Sequence, residues 1–119
     1  MNKEEWRERI KQSAVDAGTY KEFFDDVIDT LAGIMEMRDD AQAKYEAMGG
    51  STIVQHTNKG GATNIVKNPA LVVVGEMNTQ ALAYWRDLGL TPAGLKRINE
   101  AAMSKPKRSA LAEALKDIG

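Results

Sequence analysis

The sequence Lys67-Asn68-Pro69-Ala70-Leu71, followed along the chain by Leu88-Gly89-Leu90-Thr91-Pro92-Ala93-Gly94-Leu95-Lys96-Arg97-Ile98, decides the fold. Asn68 is a favoured helix cap and Pro69 a favoured first helical residue, so the first segment predicts a helix start. Gly89 predicts the end of that helix, and Thr91 with Pro92 predicts another helix that continues to about Ala102. In the first of these helices apolar residues recur in helical steps: Val74, Met77, Ala81, Tyr84 and Leu88, with Leu71, Val73 and Trp85 beside them.

A longer apolar stripe precedes this pair of helices. It comprises Tyr20, Phe24, Val27, Leu31, Ile34, Arg38, Ala41, Tyr45 and Met48, widened by Phe23, Ile28 and Met35. Thr19 with Glu22 has the capping-box pattern, and Gly49-Gly50 marks the end, so we predict one helix of roughly 42 Å. Its heptad-like spacing indicates coiled-coil packing. Arg38 is expected to pair with an acid or to reach solvent, and a register-setting or intersubunit role for it stays open.

Residues 51–66 predict a β-hairpin between the two long helices. The β-branched segments Thr52-Ile53-Val54 and Asn64-Ile65-Val66 flank a glycine-rich tip at 57–61. A two-stranded hairpin is marginally stable alone, so it must lean on the helices or pair with another chain. The predicted fold is mainly α, a long antiparallel helical hairpin with a small β-hairpin insert and short C-terminal helices.

The chain divides into three predicted segments. Residues 1–18 form an N-terminal helix that ends at Gly18, residues 19–103 form the helical-hairpin core, and residues 104–119 form a basic linker and a C-terminal helix. That last helix is predicted over Arg108–Asp117, with Leu111, Leu115 and Ile118 on one face.

The net charge of −1 conceals an uneven distribution. Residues 20–50 carry eight acids against three bases, whereas residues 91–119 carry six bases against three acids. The basic end permits contact with phosphate without requiring it. The absence of cysteine excludes disulfides and thiol chemistry, and the longest apolar run, Ala70 to Val74, is too short to span a bilayer. The charged N-terminus lacks a signal-peptide core, so we expect a cytoplasmic protein without a membrane partner.

No residue pattern predicts a catalytic, cofactor or metal site. Gly60-Gly61 lacks the Gly-Lys-Ser/Thr of a nucleotide loop and fits a hairpin turn. His56 is the only histidine and has no partners placed near it by the sequence. Asp25-Asp26 and Asp39-Asp40 point in different directions within each pair on a helix, as expected of a solvated face. A phosphodiester-cleaving enzyme would need a metal site that these residues do not form.

Positive charges near the C-terminal end are the best candidates for nucleic-acid contact, because phosphate contact needs only accessible bases. The candidate DNA-binding residues are Lys96, Arg97, Lys105, Lys107 and Arg108, with Lys59 and Lys67 by the hairpin as a weaker second patch. A solvated basic surface explains the same residues. The turn at Gly89 suggests a helix-turn-helix, but Trp85 lies where a compact one needs a small residue, which favours a simple helical hairpin.

From Thr19 to Asn99, the order of a long helix, a glycine-bounded insert, an Asn-Pro-Ala-Leu helix and a Leu-Gly-Leu-Thr-Pro helix resembles the small subunits of phage terminases. This resemblance implies a non-enzymatic protein, without a cofactor, that assembles into a homo-oligomeric ring larger than a dimer. It implies viral double-stranded DNA and the terminase large subunit, an ATPase and nuclease, as partners in the cytoplasm of the infected bacterial host. Ala93-Gly94 follows Thr-Pro where relatives often have serine and arginine, which weakens the case for DNA contact by the turn itself.

The two apolar stripes are the candidate surfaces for assembly, because they offer more apolar area than one short helical hairpin can bury. The candidate residues for the oligomer interface are Phe24, Leu31, Ile34, Tyr84, Trp85 and Arg38. Each of the five apolar residues is predicted to lie either in the core of one subunit or at the interface. The alternative function is a small dimeric helical regulator or scaffold that binds a protein partner. Stoichiometry and the salt dependence of DNA binding distinguish the two.

Overall fold

A computed structural model describes residues 1–101, and they form three long helices, a β-hairpin and the first turns of another helix. The elements are α1 (Lys3–Ala17), α2 (Asp25–Ala47), β1 (Ile53–Thr57), β2 (Thr63–Lys67), α3 (Pro69–Asp87) and α4 (helical over 92–101). The β-hairpin reverses the chain, so α3 runs back along α2 and packs against it. The helix α1, which precedes α2 in the sequence, also packs against α2. The mainly helical fold with a β-hairpin insert is confirmed. The predicted helix at 108–117 lies outside the described residues.

Three glycines stop the long helices in the same way. Gly18, Gly49 and Gly89 have φ values of 74°, 83° and 72°, a left-handed conformation that glycine adopts without steric cost. At Gly89 the amide donates to the Arg86 carbonyl at 3.0 Å, and the Leu90 amide donates to the Trp85 carbonyl at 2.8 Å. This Schellman arrangement satisfies carbonyls that the helix end leaves free. The helix stops predicted from these glycines are confirmed.

The start of α2 differs from the prediction. Thr19 is buried and its hydroxyl donates to the Leu88 carbonyl at 2.7 Å, so it joins the end of α3 instead of capping α2. A 3₁₀ turn, Glu22–Phe24, precedes α2, which begins only at Asp25. The predicted capping box is therefore wrong, because the tertiary contact takes the hydroxyl. Phe23, predicted to widen the apolar stripe, points outward and is 75% exposed.

Asn68 connects the β-hairpin to α3. Its side-chain oxygen accepts from the Ala70 amide at 3.0 Å, as the predicted cap requires. Its side-chain nitrogen also donates to the Ser51 carbonyl at 2.9 Å, and its backbone amide donates to the Thr52 carbonyl at 2.9 Å. Asn68 is fully buried, so one residue satisfies backbone groups of both the α2–β1 connection and the α3 start.

The core lies where α1, α2 and α3 meet. Its buried apolar side chains are Trp6, Ile10, Ile28, Leu31, Ala32, Ile34, Met35, Ala81 and Leu88. The hairpin takes little part in this core, because its strand residues are exposed except for the half-buried Val54.

Candidate assembly and nucleic-acid surfaces

The residues predicted for core or interface separate into two groups. Leu31 and Ile34 are buried in the core of the subunit itself. Phe24, Tyr84 and Trp85 are half-buried and pack against that core, each with an edge that reaches solvent. Any contact with a second copy through this set would therefore use the half-buried aromatic edges and not the two aliphatic residues.

Arg38 finds the acidic partner that the sequence led us to expect. Its guanidinium nitrogen Nη2 lies 3.0 Å from Asp39 Oδ1, and its Cζ lies 6.0 Å from the centre of the Trp6 ring. Trp6 donates from Nε1 to Asp39 Oδ2 at 2.7 Å and meets Trp85 edge-on, with ring centres 6.5 Å apart. The four side chains form a junction of α1, α2 and α3. Within the described part of the chain, Arg38 Nε is buried without a hydrogen-bond partner.

The junction shifts the pKa of Asp39. Partial burial alone would raise that pKa, but the hydrogen bond from Trp6, the N-terminal ammonium at 3.0 Å and the positive charge of Arg38 outweigh it. The pKa of Asp39 is therefore lowered, and its ionised form stabilises the docking of α1 on α2.

A second polar group joins α1 to the start of α2. The Tyr20 hydroxyl donates to Asp25 Oδ1 at 2.8 Å, and this bond raises the pKa of Tyr20. Lys11 Nζ lies 5.1 Å from the centre of the Tyr20 ring, and its pKa is raised by hydrogen bonding with Tyr20. The pKa of Arg7 is raised by its hydrogen bond to Glu4, and Arg7 also pairs with Asp29 at 3.2 Å. These exposed contacts orient α1 and leave its charges in water.

An open apolar groove of about 690 Å³ runs between the C-terminal half of α2 and the N-terminal half of α3. Its floor and walls include Met37, Ala41, Met48, Val73 and Met77, and Asp40 and Lys44 lie on its α2 side. Both charged residues are exposed, and neither forms an ion pair with another residue of 1–101. Sequence reasoning missed this groove, because the apolar stripes do not reveal where two packed helices diverge.

The hairpin presents a second apolar surface. Ile65 is 68% exposed, and Ile53 and Val66 are also exposed. Gln55 pairs with Ile65 and Ile53 with Lys67 across the two strands, so Ile53 and Ile65 share one face. Val66 pairs with Val54 and lies on the opposite face, so the exposed apolar side chains of the hairpin are divided between its two faces.

The predicted basic residues fall at two ends of the subunit. Lys96 and Arg97 are exposed on α4, next to the Gly89 turn, and Lys59 and Lys67 are exposed on the hairpin. The 19 residues of α3 separate these ends by roughly 28 Å. Lys105, Lys107 and Arg108 lie outside the described residues. The basic patch on α4 and the basic patch on the hairpin therefore do not form one continuous surface within a subunit.

The turn between α3 and α4 is tighter than Trp85 suggested. The Thr91 hydroxyl accepts from the Gly94 amide at 3.0 Å, which caps α4. A Cβ atom at Gly94 would lie 2.2 Å from the Arg86 carbonyl oxygen, so only glycine allows this approach of α4 to α3. The small residue that the turn needs is thus in the second helix. Glycine is disfavoured in helices, so Gly94 in the first turn of the predicted fourth helix was the sequence signal for this close approach.

Residues 1–101 contain neither a candidate metal site nor a candidate membrane-spanning helix. No group of three or more His, Asp or Glu side chains there could hold a metal ion. None of the helices in this range combines the length and apolar character needed to cross a bilayer.

The described residues thus form a small, mainly helical protein that exposes apolar side chains and carries two separate basic patches. A family model described as phage terminase, small subunit, matches residues 2–105. The chain belongs to that family, as the Asn-Pro-Ala-Leu and Leu-Gly-Leu-Thr-Pro segments led us to expect. Searches of curated proteins and of solved structures gave no significant match.

Proposed function

We propose that the protein is the non-catalytic small subunit of a phage packaging terminase. It assembles into a ring larger than a dimer, binds viral double-stranded DNA, and recruits or regulates the large subunit that carries the ATPase and nuclease. It does so in the cytoplasm of the infected host. Family membership is the observation that carries this proposal.

Assembly is supported by apolar surface that the subunit leaves uncovered. The groove between α2 and α3 and the Ile53–Ile65 face of the hairpin lie at the same end of the subunit. Burial of such surface between copies stabilises association by about 25 cal/mol per Å² before the entropic costs of binding. Head-to-tail contacts that close on themselves give a ring.

DNA binding is supported by the exposed bases at 96–97 on α4, next to the chain that continues to Lys105, Lys107 and Arg108. The two basic residues that this patch has within the described range are few for tight binding. Repetition around a ring multiplies them, so that avidity supplies affinity that one subunit lacks.

Native mass and DNA binding test the proposal together. We expect light scattering after gel filtration to give a particle of more than two subunits at both low and high salt. We expect binding to duplex DNA to weaken steeply as salt rises, because bound phosphates release counterions.

Two results would contradict the proposal. A monomer or dimer at all salt concentrations would favour the dimeric regulator. Nicking of DNA by the pure protein that depends on Mg²⁺ would show that the subunit is itself an enzyme.

A further inference from the structure

Phe23 is an unusual side chain in this subunit, because it is an aromatic residue left 75% exposed. It lies in the 3₁₀ turn before α2, and its ring rests on Phe24 with ring centres 4.5 Å apart. Phe24 in turn packs against the core. The contact with Phe24 favours one position of the exposed ring, so less side-chain freedom is lost when another surface covers it.

The groove between α2 and α3 is a matching receptor for such a ring. Met37, Met48 and Met77 line it, and methionine side chains adapt their shape and make favourable contacts with aromatic rings. Phe23 cannot reach the groove of its own subunit. Asp25, at the start of α2, and Met37, the groove residue nearest to it on α2, are 12 positions apart, which is roughly 18 Å and more than a phenylalanine side chain can span.

The charges beside the two surfaces are complementary. Phe23 follows Lys21 and Glu22, which are exposed and form no ion pair with another described residue. The groove carries Asp40 and Lys44, one helical turn apart and likewise without ion pairs in residues 1–101. The charges of Lys21 and Glu22 beside Phe23 are therefore opposite in sign to those of Asp40 and Lys44 beside the groove.

We propose that Phe23 of one subunit inserts into the α2–α3 groove of the next copy of this chain, with Lys21 opposite Asp40 and Glu22 opposite Lys44. The contact joins two different surfaces, so it is heterologous and can repeat from subunit to subunit. It rests on the proposed function, since it supplies the contact from which the ring is built. The hairpin is a weaker occupant of the groove, because its Ile53–Ile65 face carries the positive charge of Lys67 and no acidic residue to pair with Lys44.

Disulfide cross-linking tests the contact directly, because the chain contains no cysteine. A variant with Glu22→Cys and Lys44→Cys, which keeps the Phe23 ring, is oxidised mildly and run on a denaturing gel without reductant. Within one subunit the two sulfurs are too far apart to bond, so a disulfide can form only between copies. We expect a ladder of dimers, trimers and higher species that collapses to monomer when dithiothreitol is added.

The matched control replaces the exposed Leu82 on α3, so it carries Leu82→Cys with Lys44→Cys. It should give no ladder, because Leu82 has no place in the contact. The single variant E22C should stay monomeric on the gel, since a heterologous contact does not bring two Glu22 side chains together. An equal ladder from the control, or dimers from E22C alone, would overturn the proposal.

Charge exchange gives an independent readout in the native assembly. We expect Lys21→Glu and Asp40→Lys each to raise the concentration at which the assembly half-dissociates by roughly three- to tenfold. The double variant should return it to near the wild-type value. Additive weakening in the double variant would contradict the pairing of Lys21 with Asp40.

The wild-type native mass separates the two proposals. A wild-type particle of many subunits combined with no ladder would overturn this contact alone, leaving another occupant such as residues 104–119 for the groove. A monomeric wild type would overturn the ring and this contact together.

Discussion

At the residue scale, the side chain of Asn68 makes two hydrogen bonds, one from the Ala70 amide at the start of α3 and one to the Ser51 carbonyl. Asn68→Ala removes the cap of α3 and leaves the Ser51 carbonyl without its donor, so we expect a loss of about 2–3 kcal/mol in the free energy of unfolding. Asn68→Ser keeps only the capping acceptor and should recover about 1 kcal/mol of that loss. Urea denaturation of the three proteins at one concentration measures both steps. Equal stability of the two variants would show that the cap contributes nothing.

Glycine serves two different purposes at Gly94 and Gly75. At Gly94 a methyl group would collide with the Arg86 carbonyl, and we expect Gly94→Ala to destabilise the fold by about 1–3 kcal/mol. Gly75 is exposed within α3 and a Cβ there would meet no atom within 4 Å. Gly75→Ala should therefore stabilise by about 0.5–1 kcal/mol, through the higher helix propensity of alanine. Thermal unfolding of both variants checks the opposite signs.

At the element scale, α1 is attached to the helical hairpin through an ionised carboxylate. The pKa of Asp39 is lower in the folded protein than its ordinary value of 3.8. Between the lowered folded pKa and 3.8, the unfolded chain therefore binds more protons than the folded protein does. The contribution of Asp39 to stability is present above pH 3.8 and is lost as the pH falls through the lowered folded pKa.

We expect Asp39→Asn to weaken the docking of α1 and to flatten the loss of stability in acid. Urea denaturation from about pH 6 down to about pH 2 measures this dependence. The exposed Asp87 lies outside the junction, so Asp87→Asn is the control and should retain the wild-type acid dependence. Identical acid profiles for wild type and D39N would contradict the role of this junction.

At the scale of the whole molecule, the separation of the basic patches distinguishes the two ends of the subunit. We expect the pair Lys96→Glu and Arg97→Glu to reduce affinity for duplex DNA at least tenfold and to lower the slope of affinity against salt. The matched pair Lys59→Glu and Lys67→Glu changes the same number of charges at the hairpin end and should have the smaller effect. Fluorescence anisotropy at several salt concentrations measures both, and light scattering confirms that assembly persists. A larger effect of the hairpin pair would assign DNA contact to the other end.

The sequence alone determined where α3 begins and where α1, α2 and α3 end. Asn68, Gly18, Gly49 and Gly89 act on backbone groups within a few residues, so their local chemistry predicts helix caps and stops without knowledge of the fold. The hairpin followed in the same way from β-branched segments around a glycine-rich tip.

Only the tertiary structure decided which surfaces these elements leave open. Thr19 bonds to the end of α3, α2 begins later than its apolar stripe, and Phe23 consequently turns outward. The pairing of Trp6 with Asp39, the approach of Gly94 to Arg86 and the groove beside Val73 likewise join residues distant in sequence. Periodicity defines the apolar face of one helix, but the rotation and divergence of packed helices depend on every side chain between them.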